Sequence, residues 1–274
     1  MRIKTLFLVT FTVLSVLSCD KKWSPFYNGN DEEDYVDPDY PTIIHALSSD
    51  ELSTLQQEFN TLNHSSIQNK LNQFGYIGGR DMMKIHANPG IPMNETEALQ
   101  IAVECVLKNA KFTNIRDSLD FVNNIQEITP LETDSTKWRI IAKPQTYDGF
   151  EIWGPEIRAF VYGDGVYRLQ GFWYQHIHIP NKENITPNEA KEIVTGDTII
   201  WYGMAGQPME FVVTHNTIGD TINKVIFPVE TDDSITLHVT WEIPILFLSS
   251  DVGWHMYVDT MSGEVVRIIQ EFIT

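Results

Sequence analysis

Basic side chains are scarce in this chain. It carries 19 Lys and Arg against 37 Asp and Glu, a formal net charge of −18. That balance excludes a nucleic-acid binder and adsorption to anionic headgroups, both of which need a cationic surface. Cysteine is nearly absent, with two in 274 residues, at positions 19 and 105, so no disulfide framework is expected. Catalytic motifs are also missing. None of the eight His residues begins H-E-x-x-H, and there is no G-x-S-x-G elbow, P-loop or G-x-G-x-x-G. No catalytic residue is assigned, no cofactor is implied, and the chain is not expected to be an enzyme. The longest apolar run, Leu6 to Leu17, falls short of the roughly 20 residues of a spanning helix.

That run does fit a leader. Met1-Arg2-Ile3-Lys4 gives a basic start, the apolar run follows, and Ser18 is small. Val16-Leu17-Ser18-Cys19 resembles the lipobox of bacterial lipoproteins. In that family the leader, here residues 1–18, is removed, and the Cys becomes the N-terminus and carries acyl chains such as palmitate. The resemblance implies lipidation of Cys19 and a cell-envelope protein attached to a membrane by lipid. Which membrane holds it stays open. Cys105 is then left without a partner.

Residues 19–41 are expected to be a flexible tether. Asp31, Glu32, Glu33, Asp34, Asp37 and Asp39 crowd it, and a run so acidic and poor in apolar residues cannot bury enough to order itself. Residues 42–93 are expected to hold a helical pair. Ser48-x-x-Glu51 is a capping box before the stripe Leu52, Leu55, Phe59 and Leu62, and Ser65-x-x-Gln68 repeats the device with Ile67, Leu71 and Phe74. Gly75, Gly78 and Gly79 then break the pattern.

Two units come next, 94–182 and 183–274. The first opens with Asn94-x-x-Glu97 and a helix whose inner face is Ala98, Ile101, Ala102, Cys105 and Val106. Strands are expected over 121–128, 138–142, 156–162 and 166–174, with a turn at Tyr147-Asp148-Gly149 and a hairpin at Gly163-Asp164-Gly165. The second opens with Thr186-Pro187-Asn188-Glu189, a cap with Pro at the first helical position. Gly196, Gly203 and Gly206 punctuate the stretch after this helix, and strands are expected over 211–214 and 225–229. The unit closes on the strongest pattern of all, in which Leu237, Val239, Trp241, Ile243 and Ile245 alternate with polar residues. Trp254, Met256 and Val258 continue it, and Val265, Arg267 and Ile269 return after a turn at Gly263. Helices segregated from antiparallel strands give an α+β class.

Thr186-Pro187-x-x-Ala190, Thr240-Trp241-Glu242-Ile243 and Tyr257-Val258-Asp259-x-x-x-Gly263-Glu264-Val265 resemble the PepSY domain. Asp148 to Gly154, and Val161 to Leu169, are similar to the related propeptide module of thermolysin-like and fungalysin-like peptidases. The resemblance implies two tandem PepSY-like units, each a capped helix packed on an antiparallel sheet. It also implies a non-catalytic binding or regulatory role towards an envelope protein, an envelope peptidase among the candidates. Propeptide modules usually precede a zinc peptidase domain, and none is found before Thr274, so inhibition would act in trans.

Candidate sites are few. On a strand, His176 and His178 would share a face and could meet one metal ion. H-x-H without a fixed third ligand is common by chance, so no metal is expected, and the pair is simply the one to watch. Tyr174 and Trp201 are the aromatics whose burial the pattern leaves least determined. A sugar- or peptide-binding cleft between the units would use them. The alternative function is thus a glycan- or small-ligand-binding lipoprotein, and a metal-dependent enzyme centred on His176 and His178 ranks third.

Overall fold

The computed structural model describes residues 35–68, 70–78, 86–87, 91, 94–115, 117–131, 136–202, 207–247 and 252–272. The leader, Cys19 with its lipidation, and most of the tether lie outside these residues, as do Gly79, Gly203 and Gly206. Among the described residues, no helix is long and apolar enough to cross a membrane.

The fold is α+β, with few helices and a large sheet. The N-terminal segment supplies β1 (Thr42–His45) and α1 (Ser49–Asn63). Ser48 accepts from the Glu51 N–H, and Glu51 reaches back, so the capping box forms as expected. The second helix of the pair does not form. His64 takes a left-handed φ of 50°, and side chains then capture the backbone beyond it. Asn60 Nδ2 donates to Ile67 O at 3.0 Å, and Gln56 Oε1 accepts from Lys70 N and Leu71 N. Asn72 Oδ1 accepts from Phe74 N and Tyr76 N. These local bonds compete directly with helical ones. Ile67, Leu71 and Phe74 are still buried, but along an irregular segment.

Next come β2 (His86–Ala87), α2 (Glu95–Lys108), α3 (Ala110–Thr113), α4 (Ser118–Val122), β3 (Ile125–Pro130) and β4 (Trp138–Ala142). Phe121 and Val122, expected on a strand, belong to α4 because Asp117 caps that helix by accepting from Leu119 N. The chain continues through β5 (Gln145–Tyr147), β6 (Phe150–Ile152), β7 (Ile157–Tyr162) and β8 (Gly165–Gln170). A five-stranded antiparallel sheet has the order β2-β8-β7-β4-β3. It lies under α2, whose buried residues are Ala98, Ile101, Ala102, Cys105 and Val106, the face anticipated from spacing. Ile140, Ile157, Ala159, Val161 and Leu169 meet that face with no exposed surface. A large aliphatic side chain so buried contributes roughly 1.5–3 kcal/mol of transfer free energy.

The remaining elements are α5 (Pro187–Val194), β9 (Thr198–Tyr202), β10 (Pro208–Val212), β11 (Asn223–Glu230), β12 (Ser234–Leu246), β13 (Val252–Asp259) and β14 (Val265–Phe272). β12 is the spine of a seven-stranded sheet ordered β14-β13-β12-β11-β6-β5, with β1 also paired to β12. One face of β12 presents Leu237, Val239, Trp241, Ile243 and Ile245, all buried as the alternation requires. α5 packs there through Ala190 and Val194.

The β5–β6 hairpin falls between β4 and β7 in sequence, yet leaves their sheet. Asp148 and Gly149, at φ 49° and 83°, make the turn with both central residues left-handed. β6 then pairs in parallel with β11, Val225 opposite Glu151 and Ile226 opposite Ile152.

Candidate functional site

The other face of the long sheet is also covered. Val225, Phe227 and Tyr257 form a separate buried cluster there, with Val229, Val266 and Ile269 against it. Trp153 closes over them. Its N–H donates to Ile226 O at 2.9 Å, extending the β6–β11 pairing by one residue. Its ring stacks on Phe227 at 5.0 Å and meets Tyr257 edge-on at 6.4 Å. Trp153 remains 37% exposed, so it is a platform rather than a core residue.

A groove of about 460 Å³ opens beside this platform. The Trp153–Glu156 turn forms one wall and the Gln170–Tyr174 segment the other, while Phe227, Arg267 and Ile269 reach it from the sheet. The two walls touch at Gly171. A Cβ there would stand 1.8 Å from the Glu156 carbonyl oxygen, and φ is +98°. Only glycine permits both.

Charged side chains in the groove are unevenly paired. Arg158 pairs with Glu156, although its Nε is buried without a hydrogen-bond partner. Arg267 stands across from Tyr257 on β14, exposed, with no ion pair among the described residues. Glu230 also lines the groove, so its charges are two of each sign, and Arg267, without an ion pair among the described residues, is the cation left to meet an anionic or carboxylate-bearing ligand. The described lining contains no Ser, Thr, Cys or His, and its carboxylates are Glu156 and Glu230. Its one phenol, Tyr174, is pushed well up by burial.

Trp153 also borders a second hollow of about 260 Å³ over Glu151, Lys224 and Glu242. Glu242 accepts from Tyr257 Oη at 3.1 Å and from Asn223 Nδ2 at 3.2 Å, and lies 3.0 Å from His255 Nδ1. The His255 bond holds the Glu242 carboxyl below its usual range, and Glu242 in turn raises His255. Burial, helped by the Glu242 charge, pushes Glu151 upward. Lys224 engages Glu183 and lies 4.9 Å from the Trp241 ring centre.

The residues singled out from sequence scatter. Tyr174 is buried and borders the groove; its N–H donates to Gln145 Oε1 at 2.8 Å. Trp201 packs against the cluster under α5, 5.0 Å from the Trp254 ring and 5.9 Å from Phe247. His176 and His178 are not on a strand. The ladder stops at Gln170, and His176 sits exposed at φ 56°. The shared face that would aim both imidazoles at one ion is therefore missing. His178 instead faces Asp37, with Nε2 2.9 Å from Oδ1. Cys105 is fully buried, and burial pushes its thiol up to about 12. The end of the stretch read as a tether is also fastened. Asn184 takes both backbone groups of Tyr35, at 3.0 and 2.9 Å.

Sequence reasoning missed Trp153, Phe227 and Arg267 as site residues. A signal was present: β11 reads Val225-Ile226-Phe227-Pro228-Val229, apolar at both parities, which marks a strand covered on two faces.

No protein-family model matches the chain, and no curated protein matches it. Among solved structures the chain is similar to the Bacillus megaterium YpeB C-terminal domain. The two are 12% identical, and the match covers 82% of this chain and 98% of that one at a TM-score of 0.30. At that distance nothing about function passes from one chain to the other.

Proposed function

We propose that this is a lipid-anchored envelope lipoprotein, built of PepSY-like units, that binds a protein partner without acting chemically on it. The groove beside Trp153 receives an extended acidic segment or chain terminus of that partner, an envelope peptidase being one candidate. The observation that carries this reading is the aromatic floor of Trp153 and Phe227, backed by the buried Tyr257, with Arg267, which has no ion pair among the described residues, beside it. Apolar contact area with one fixed charge is what orients a ligand in a cleft. The capped α5 on an antiparallel sheet and the motif residues around Trp241 and Asp259 support the PepSY-like description. The lipobox-like Val16-Leu17-Ser18-Cys19 supports the anchor.

Two experiments test this. Metabolic labelling with palmitate should mark the wild-type chain and not Cys19→Ser; equal labelling removes the anchor. A photo-crosslinking residue placed at Trp153 should capture one protein in whole cells, and Arg267→Glu should abolish that capture. The same probe at Leu119, exposed on α4, serves as the control. Equal capture from both positions overturns the groove reading. The second reading, a glycan ligand, rests on the same exposed Trp153 face. It predicts thermal stabilisation by an oligosaccharide that Trp153→Ala removes.

A further inference from the structure

We infer that Asp37, Asp39 and His178 form a binding site for a divalent transition metal of the zinc type. The two aspartates come from the segment before β1, and the histidine from the connection between β8 and α5. One ligand atom from each lies within 4.8 Å of the others. In a tetrahedral zinc site, bonds of about 2.0–2.2 Å place ligand atoms about 3.4 Å apart. Asp37 Oδ1 and His178 Nε2 are already at 2.9 Å, and Asp39 is an exposed side chain able to close the rest by a rotamer change.

Two observations separate this cluster from an ordinary ion pair. His178 Nε2 is buried and has no hydrogen-bond partner; it lies close to Asp37 but out of line for a bond to it. A buried nitrogen without a partner is unfavourable, and a metal on its lone pair would supply one. The Asp37 side chain, moreover, is only 4% exposed. A second carboxylate, Asp39, stands beside it. With a neutral imidazole the site carries two negative charges at the edge of the protein interior, which a divalent cation offsets.

The positions are also held from outside. His178 N–H donates to Thr42 Oγ1 at 2.7 Å, and Tyr35 Oη donates to Asp37 Oδ2 at 3.3 Å. Such outer bonds fix ligand orientation. One imidazole with two carboxylates suits zinc and its neighbours better than calcium, which takes oxygen alone. Three protein ligands leave the fourth position to water on the exposed Asp39 side. The ion would pin the chain leading into the fold to the connection between β8 and α5. His176 has no part in it.

The test uses the full-length chain in detergent, stripped with a chelator and dialysed, then titrated with zinc by calorimetry, with bound metal counted by atomic emission. Wild type should bind one zinc per chain, and zinc should raise its melting temperature. His178→Ala should lose the site. Asp39→Asn, which leaves the buried residues untouched, should bind at least about tenfold more weakly. His176→Ala should match wild type. The assignment is overturned if wild type binds no zinc. It is equally overturned if Asp39→Asn and His178→Ala bind as wild type does, or if His176→Ala loses the metal as His178→Ala does.

Discussion

The Tyr40 hydroxyl donates to Asp259 Oδ2 at 2.6 Å, joining the segment before β1 to the last hairpin of the large sheet. The same hydroxyl accepts from Val239 N at 2.8 Å. It fills the gap on β12 between β1, which pairs up to Leu237, and β13, which begins pairing at Thr240. Asp259 also accepts from Met261 N and Ser262 N, each at 2.8 Å, so a single carboxylate organises the turn and its attachment to the N-terminal segment.

Tyr40→Phe keeps the ring and removes the hydroxyl. Val239 N–H then has no partner in a buried position, at a cost of about 1–3 kcal/mol. Urea unfolding should show a lower midpoint with an unchanged slope. An unchanged midpoint would mean that water replaces the hydroxyl without loss.

Gly171→Ala should destabilise the protein by about 1–3 kcal/mol from backbone conformation, and by more through the collision with Glu156 O. The Trp153–Glu156 wall must shift to relieve it. Trp153 fluorescence should change in the folded variant, whereas Gly149→Ala, with open space around it, should strain only its own turn.

The Glu242–His255 pair sets a pH window. His255 is raised above its ordinary 6.5, so its contribution is complete below that value and is lost as pH climbs through the folded-state value. Glu242 is lowered below its ordinary 4.5, so its contribution is present above that value and is lost as pH falls through the folded-state value. Stability from the pair should therefore peak between the two. Glu242→Gln should flatten both slopes in unfolding free energy against pH, and an NMR titration should find His255 above 6.5 in wild type only.

Cys105 should be inert while the fold persists, since the thiolate is the reactive form and burial pushes the thiol to about 12. In a Cys19→Ser background, iodoacetamide at pH 8 should leave Cys105 unmodified until denaturant is added. Rapid labelling of the native protein would place Cys105 outside the α2 core.

What was legible in the sequence was local. The boxes at Ser48 and Thr186 and the cap at Asn94 located three helices because each is decided within one turn. The alternation from Leu237 to Ile245 identified the main core because period two admits one inward face. The stretch after Asn63 misled because its apolar spacing is helical, while Gln56 and Asn60 reach forward from α1 to bond its backbone. His176-Ile177-His178 misled because period two has meaning only inside a strand, and β8 had already ended. The groove was hidden for a third reason. Trp153, Phe227 and Arg267 come from three strands, or the turns after them, whose neighbours are chosen by sheet order, and β6 beside β11 is a choice that no local pattern records.

That choice has a consequence for synthesis. The chain emerges N-terminus first, so the β5–β6 hairpin is made while β11 does not yet exist. The sheet under α2 can close around β4 and β7, but Glu151 and Ile152 must wait with an unsatisfied backbone edge until Val225 and Ile226 arrive. During that interval the nascent protein carries an open strand that could pair with a stranger. A variant that stalls translation before β11 should be the form most prone to aggregate, and the form a chaperone would hold longest.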